Sequence, residues 1–329
     1  KVVTTFTRGD PIWEQQRHRA RTDLFWLAGV VLGYGDKVHM LPRVHGVLCR
    51  VLDRTLGIAE IDEMPYRKIM LPRGVGKTTL GQAYIIQRVI RDPNVAILLA
   101  SERLQLATDI LRAIKGEFLY NQWLRELFPE IIPQTDRETI WSEDRIEVLR
   151  TTPRKDPTIA CAGSTAAITG IRPDLVLCDD LFSKEAMENA LSGNSDLTGK
   201  INRWIAELRP LMNAWAQPFP EITFLGTPWY AGDPYEYVET AFGYHEPPRT
   251  WMISQKLAAG QTQLLPIHRI GDLVVFKRPI LENGTSIWPE NPALTDTELA
   301  KFRLSNPSLF AANMMLEPSD ELTATFKEG

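Results

Sequence analysis

Hydrophobic residues along this chain keep two rhythms, and the switches between them outline a fold. Apolar runs occur at three places, VAILLA (95–100), DLVLCDD (174–180) and EITFLGTPWY (221–230), and YRKIML (66–71) reads as a further short strand. Short runs without polar alternation suit strands buried on both faces of a parallel sheet. Around them, over 11–34, 44–56, 78–90, 104–119 and 197–212, apolar residues recur at helical spacing and predict amphipathic helices. Strand and helix patterns in alternation predict an α/β fold with a mostly parallel central sheet flanked by helices. Residues 140–149 and 158–161 read as extended pieces. Past Gly243 the pattern weakens: short strands are expected around Trp251, at 274–276 and at Ile287, and two helices within 295–316. The sequence holds no internal repeat and no low-complexity tract.

Composition narrows the class without moving these elements. The 329 residues are 44% hydrophobic and 24% charged, ample for a globular core. A net charge of −4 means that any nucleic-acid contact has to come from a local basic patch. Cys49, Cys161 and Cys178 lie far apart in apolar surroundings and read as buried thiols rather than a disulfide framework. His18, His39, His45, His245 and His268 lack metal-ligand spacing, and no apolar run reaches membrane-spanning length. The chain opens on Lys1 and closes on LTATFKEG, from which we expect a trimmed piece of a longer protein.

Chemistry enters with LPRGVGKTT (71–79). A triphosphate site needs backbone N–H groups turned toward the anion, a Lys for the β and γ phosphates and a hydroxyl for Mg²⁺. Gly74 and Gly76 let the backbone curl, Lys77 supplies the charge and Thr78 the metal-binding hydroxyl. Pro72, Arg73, Val75 and Thr79 complete the expected ATP-binding set. The usual first glycine, six positions before Lys77, is Leu71. Because the curl sits nearer 74–77, the loop is expected to work without it. Alone, the Gly-Lys-Thr triplet also fits a solvated helix start.

About 100 residues downstream, Asp179 and Asp180 end an apolar strand. Asp179 is the expected Mg²⁺ carboxylate and Asp180 the group that orients or deprotonates the attacking water. Two acids after a strand suit a helix N-cap equally well. The strand and helix of VAILLA fit between loop and carboxylates, a spacing closer to additional-strand, catalytic-carboxylate ATPases than to nucleoside kinases. Thr227 ends the next apolar strand and can contact the γ-phosphate or its water.

In order and spacing, LPRGVGKTT, ITGIRPDLVLCDD and FLGTPWY resemble the ATPase domain of large terminase subunits, the motors with which tailed bacteriophages package DNA into the procapsid. TDLFWLAGVVLGY is similar to their N-terminal region, LLASERLQLATDILRAIKGEF to their second strand and helix, and NPSLFAANMMLEP to the link leading out of the ATPase. The resemblance covers nearly the whole chain. It implies a P-loop NTPase of the additional-strand type with an N-terminal helical lid (1–60), an ATPase core (61–245) and a small C-terminal linker subdomain (246–329). ATP and Mg²⁺ are the implied cofactors. Double-stranded DNA, a portal protein and a small terminase subunit are the implied partners, met in a homo-oligomeric ring on the procapsid in the host cytoplasm, with a monomer in isolation.

By the same resemblance, Arg73, Gly74, Gly76, Lys77 and Thr78 match the phosphate-loop motif, Asp179 the metal carboxylate and Thr227 the coupling motif. Asp180 stands where the family usually has Glu, and Thr169 where some members have Arg, which leaves Arg172 the nearest arginine. The catalytic set is thus Asp180 and Thr227, with Arg73 in its own subunit or Arg172 in trans as the arginine finger. An ion pair with Asp174 or another nearby carboxylate is the plainer role for Arg172. Eleven residues follow Pro318, too few for the family's nuclease domain, so DNA cleavage is not expected.

Arg145, Arg150, Arg154 and Lys155 are the candidate DNA contacts, with a second cluster at Arg17, Arg19 and Arg21; both are also compatible with solvated faces. Gln15, Gln16 and Arg17 are candidates beside the adenine. Asp233, Glu236 and Glu239 have the spacing of a solvated helix face. A helicase or remodelling ATPase would need Arg-rich motifs in a second motor domain, which the sequence does not show. Intact Lys77, Thr78 and Asp179 speak against a degenerate scaffold.

Overall fold

The computed structural model describes residues 8–35, 40–133, 140–168, 170–191, 196–256 and 261–319. The buried strands form where the apolar runs and YRKIML were read: β1 (Tyr66–Met70), β2 (Ile97–Ser101), β5 (Leu175–Asp179) and β6 (Glu221–Gly226), every residue of them buried. Alternate side chains enter two different cores. Ile97, Leu99, Leu175, Leu177 and Leu225 face one, whereas Leu98, Ala100, Val176, Cys178 and Phe224 face the other. Two apolar faces per strand are why these runs show no polar alternation.

Helix α1 (Pro11–Thr22), α2 (Val47–Asp53), α3 (Lys77–Arg91) and α4 (Leu104–Tyr120) contribute to the first core, with α5 (Gln122–Leu127). The second is covered by α6 (Lys184–Leu191), α7 (Leu197–Leu211) and α8 (Pro234–Gly243). The helix expected over 11–34 is interrupted at Asp23, whose extended backbone (φ −131°) ends α1. Its carboxylate then accepts the Trp26 N–H at 2.9 Å and starts a new turn.

Adding β3 (Arg145–Ile146), β4 (Ile159–Gly163), β7 (Arg249–Lys256), β8 (Thr262–Ile270) and β9 (Leu273–Lys277), the sheet among the described residues runs β3-β4-β2-β5-β6-β1-β9-β8-β7. The six central strands are parallel, and β3, β8 and β7 pair antiparallel. The strand interposed between the phosphate-loop strand β1 and the carboxylate strand β5 is therefore β6. It is not VAILLA, which lies as β2 on the far side of β5. One strand inserted at that point is the additional-strand arrangement expected from the sequence, reached by a different element.

The extended reading of 140–149 shrinks to Arg145–Ile146 and a bridge from Trp141 to Ile146. Strand β8 escaped sequence reading because Pro266 and exposed Leu264 blur its alternation. A boundary at 245/246 crosses a continuous sheet, since β9 pairs with β1 along its full length. Beyond it lie a small hairpin, β10 (Leu281–Glu282) and β11 (Thr285–Ser286), and the two expected helices, α9 (Asp296–Ser305) and α10 (Pro307–Asn313).

Candidate functional site

Parallel strands bring their C-terminal ends to one edge of the sheet, and ligands bind there in open α/β folds. The loop 71–76 leaves β1 at that edge and runs into α3. Gly74 and Gly76 both sit at φ +81°, a conformation an L-residue with a Cβ rarely adopts, so the curl depends on glycine at these two positions. Leu71, at the place of the missing glycine, is buried and keeps the strand ladder, donating its N–H to the Gly226 carbonyl at 3.0 Å.

Lys77 is buried, and its Nζ donates to Thr227 Oγ1 at 2.7 Å and to the Pro72 carbonyl at 3.2 Å. Thr227 in turn donates to the Leu71 carbonyl at 2.8 Å. The ammonium thus has only neutral oxygens as hydrogen-bond partners. Burial lowers its pKa, while Asp180 and Asp179 pull the other way. A buried charge with neutral partners alone is one that an anion could compensate.

Thr78 Oγ1 donates to Asp179 Oδ2 at 2.7 Å. Asp179 is 4% exposed, and its other oxygen, Oδ1, is buried without a hydrogen-bond partner. Burial first, then the neighbouring Asp180, push its pKa up. An orphaned carboxylate oxygen beside a threonine hydroxyl is a hard-oxygen donor set of the kind Mg²⁺ takes, and these two residues fit that ion. Asp180 lies just beyond the strand in the left-handed region (φ 44°), tied by its N–H to the Leu225 carbonyl at 3.0 Å. It lines a cavity of about 470 Å³ together with Arg73, Gly74, Gly76, Lys77, Thr78, Thr79, Trp288, Asn291 and Pro292. The Asp-Asp pair is not a helix N-cap, because α6 starts only at Lys184.

Arg73 is exposed at the cavity rim, with its guanidinium 4.9 Å from the centroid of the Trp229 ring. Val75 is buried beneath the loop and Pro72 is buried beside it. The structure therefore brings the whole expected phosphate set, 72–79, to one place with Asp179, Asp180 and Thr227.

Arg172 is elsewhere. It precedes β5, at the opposite edge of the sheet, where its N–H donates to Asp156 at 3.1 Å. Asp174 is taken by Arg154 and not by Arg172. Thr169 lies outside the described residues. Among the candidate DNA contacts, Arg154 also binds Asp156 at 3.3 Å, and Arg150 donates to the Asp156 carbonyl at 2.5 Å. Both are committed inside the fold. Arg145 is exposed against Asp144, and Lys155 is exposed.

Arg17 is buried between Trp13 and Phe128, bonded to the Leu127 carbonyl and to Glu130, and neither it nor Gln15 nor Gln16 lines the phosphate cavity. Arg19 stacks on Trp26, and Arg21 donates to the Ile90 carbonyl at 2.9 Å. Asp233 is no solvated acid either: it is 1% exposed and caps α8, accepting the N–H groups of Trp229 and Tyr235 at 2.9 Å each. Glu239 pairs with Lys68 at 2.8 Å. Periodicity alone could not separate a solvated face from one whose acids meet partners on β1 and in the segment after β6.

Sequence reasoning missed Trp288, Asn291 and Pro292, which come from far along the chain, and His45. The His45 ring is buried, accepts the Leu41 N–H at Nδ1 (3.0 Å), and meets Trp288 edge-on at 4.9 Å. Burial lowers its pKa to about 4 against a partly compensating bond to the Val75 backbone. Its Nε2 lies 3.7 Å from where a Cβ on Gly76 would stand. The only available signal was a histidine among apolar residues, which does not name its neighbour.

No family model matches the chain. Among curated proteins, the large terminase subunit of Enterobacteria phage T3 is 28% identical over 174 residues, 52% of this chain and 27% of that protein. The chain thus spans about a quarter of the length of that relative. Among solved structures, the large terminase ATPase domain of Thermus phage P74-26 aligns with 16% identity and a TM-score of 0.46, over 77% of this chain and 88% of that one. An arginine-to-alanine mutant of the same domain aligns with the same identity and score over 84% and 93%. With its glycine loop, interposed strand and terminal carboxylates on one sheet edge, this chain has an α/β fold with a mostly parallel central sheet and, over about half its length, is similar in sequence to a phage large terminase.

Proposed function

We propose that the chain is an ATP-hydrolysing motor domain that translocates double-stranded DNA, the role its resemblance to large terminase subunits implies. The observation that supports this most directly is the buried constellation Lys77–Thr227 and Thr78–Asp179, each closed at 2.7 Å. Lys77 and the loop N–H groups bind the β and γ phosphates. Thr78 and Asp179 would hold Mg²⁺, which when bound would neutralise phosphate charge. Asp180, just beyond the end of β5 with a left-handed backbone, orients and deprotonates the attacking water. Thr227 shares a hydrogen bond with Lys77, so movement of that Lys onto phosphate releases the hydroxyl and reports occupancy to the segment after β6.

Arg73, stacked on Trp229 at the rim, is the arginine placed to stabilise transition-state charge within its own subunit. Arg172, at the far edge, would act only on a neighbouring copy. Mixing Arg172→Ala with Lys77→Ala under assembly conditions separates the two: recovered turnover in mixed rings supports action in trans, and full activity of Arg172→Ala alone assigns the role to Arg73. Exposed Arg145 and Lys155 remain as DNA contacts, with the portal protein and small terminase subunit as further partners in the host cytoplasm.

The test of the motor reading is ATP turnover by the purified chain with and without duplex DNA, together with a strand-separation assay. Hydrolysis stimulated by duplex DNA without unwinding is expected. Turnover that ignores duplex DNA under assembly conditions would overturn the motor role, and strand separation would move the chain to the helicases.

A further inference from the structure

The cavity in front of the phosphate loop has two walls of different origin. One is the loop itself, with the first turn of α3 and Asp180. It is flanked by the carboxylate strand, reached from β1 across β6. The other comes from the opposite side of β1. There β9 runs parallel to β1 with Lys277 beside Met70, so the chain leaves β9 at the same sheet edge as the loop. It returns over that edge, and Trp288, Asn291 and Pro292 close the cavity.

This second wall is held in place from several directions. The Trp288 N–H donates to Ser286 Oγ at 3.0 Å, and the Asn291 N–H donates to the Trp288 carbonyl at 3.2 Å. Asn291 Oδ1 accepts the Ala293 N–H at 3.1 Å, which leaves the amide N–H₂ as the donor end of that side chain. Glu290 is ion-paired with Arg43, and the His45 ring lies between Trp288 and the phosphate loop. Trp288 is 4% exposed, yet its Nε1–H has no hydrogen-bond partner among the described residues. A buried, unpaired indole N–H is uncommon in a finished core.

A triphosphate held by Lys77 and Thr78 points its terminal phosphate toward Asp179 and Asp180, on the β6 side of β1. Its other end must then leave on the β9 side, where an indole, a proline ring and a carboxamide stand. Flat apolar rings with one or two polar groups are the surface a nucleoside needs. We propose that the segment 286–292 is the nucleoside wall of the site. Trp288 and Pro292 pack against base and ribose, Asn291 offers its amide to their polar edge, and His45 locks this wall to the phosphate loop. This rests on the nucleotide-site reading above and assigns the base end to the segment after β9, away from α1 and its Gln15, Gln16 and Arg17.

The experiment has two arms. Wild-type protein is photolabelled with 8-azido-ATP and Mg²⁺ and the labelled peptide is mapped. Label on 286–292 is expected; label confined to α1, or to a second cavity lined by Phe25, Arg50, Asp53 and Gln255, overturns the assignment. In the second arm, calorimetry compares Mg-ATP with Mg-tripolyphosphate, which shares the phosphates and lacks the nucleoside. Asn291→Leu and Pro292→Gly, both at positions outside the core, are expected to weaken ATP about five- to tenfold. Tripolyphosphate should stay within about twofold, since the phosphate contacts are untouched. Equal loss of both ligands, or of neither, overturns the wall. A wild-type protein that binds neither ligand overturns the nucleotide site itself, a result distinct from either.

Discussion

The two edges of the parallel sheet treat buried charge in opposite ways. At the C-terminal edge, Lys77 is bonded to neutral oxygens, Asp179 keeps one oxygen orphaned, and Asp180 stands in a left-handed conformation. At the N-terminal edge, buried Glu221 lies 3.1 Å from Arg54, 3.2 Å from Arg88 and 2.7 Å from the Tyr84 hydroxyl. Burial, the largest single influence, would raise its pKa, but Arg54, Arg88, the Tyr84 hydroxyl and Arg67 together outweigh it and the result is lowered. Asp174 there is paired with Arg154 and bonded to Asn213 at 2.7 Å. At both edges one carboxylate oxygen lacks a hydrogen bond, but Glu221 Oε1 stands 3.2 Å from Arg88, whereas Asp179 has no ion-pair partner among the described residues. One edge leaves charge for a ligand to complete, and the other pairs it from within the chain. Buried, strongly perturbed groups cluster at both, so perturbation by itself does not mark the site. The distinction is whether the partner is already present.

The contrast can be broken deliberately. Lys77→Ala removes the main countercharge to the phosphates, and ATP turnover is expected to fall by at least about 10³-fold, in the range of losing a principal transition-state charge. Steady-state hydrolysis beside a thermal melt checks this; near wild-type turnover removes the loop from the mechanism. Asp180→Asn is expected to lose roughly 10²–10³ in turnover while Mg-ATP affinity stays within a few-fold, because the residue acts on water and not on the metal. An affinity loss as large as the turnover loss would make Asp180 a metal ligand.

The opposite edge should answer in stability and not in chemistry. Glu221→Gln leaves two guanidinium groups without their anion and is expected to destabilise the fold by about 3 kcal/mol. Denaturant unfolding measures that cost, and unchanged ATP affinity confirms that the two edges are separate.

Between them lies His45, near the site but held by the fold. Its pKa is lowered to about 4, so between the ordinary value of 6.5 and 4 the unfolded chain binds a proton that the native state refuses. The stability it contributes is present above pH 6.5 and is lost as pH falls through that window, on the order of 3 kcal/mol when complete. Asp53, raised to about 6 by burial, titrates across part of the same window with the opposite sign and cancels in a comparison of variants. The stability gap between wild type and His45→Gln should therefore narrow as pH drops from 7 to about 4.5. A gap that stays constant would mean that the fold leaves the His45 pKa unshifted, and one that widens would mean that the fold raises it.

Much of the phosphate side was legible in the chain, because each piece is local. A glycine curl between a strand and a helix occupies about ten consecutive residues, and a strand end carrying two acids is equally short. Their conformation follows from neighbours in sequence, as with Gly74 and Gly76 at φ +81°. The arginines were not legible in the same way. Arg150, Arg154 and Arg17 read as free charge, but each ends among carbonyls or carboxylates of other elements. A one-dimensional pattern gives the type of a side chain and not its partner.

The amino-acid sequence alone determined the α/β class, the buried strands, the phosphate loop and the paired carboxylates, since these rest on periodicity and on residue types needed at fixed local spacing. Only the tertiary structure decided which strand separates β1 from β5. It decided that β9 closes beside β1 and carries Trp288 to the cavity, and that Arg172 faces the other edge. Those outcomes depend on strand order, which is set by how two apolar faces are covered across distant parts of the chain. The same strands in another order would keep every local motif and assemble a different site.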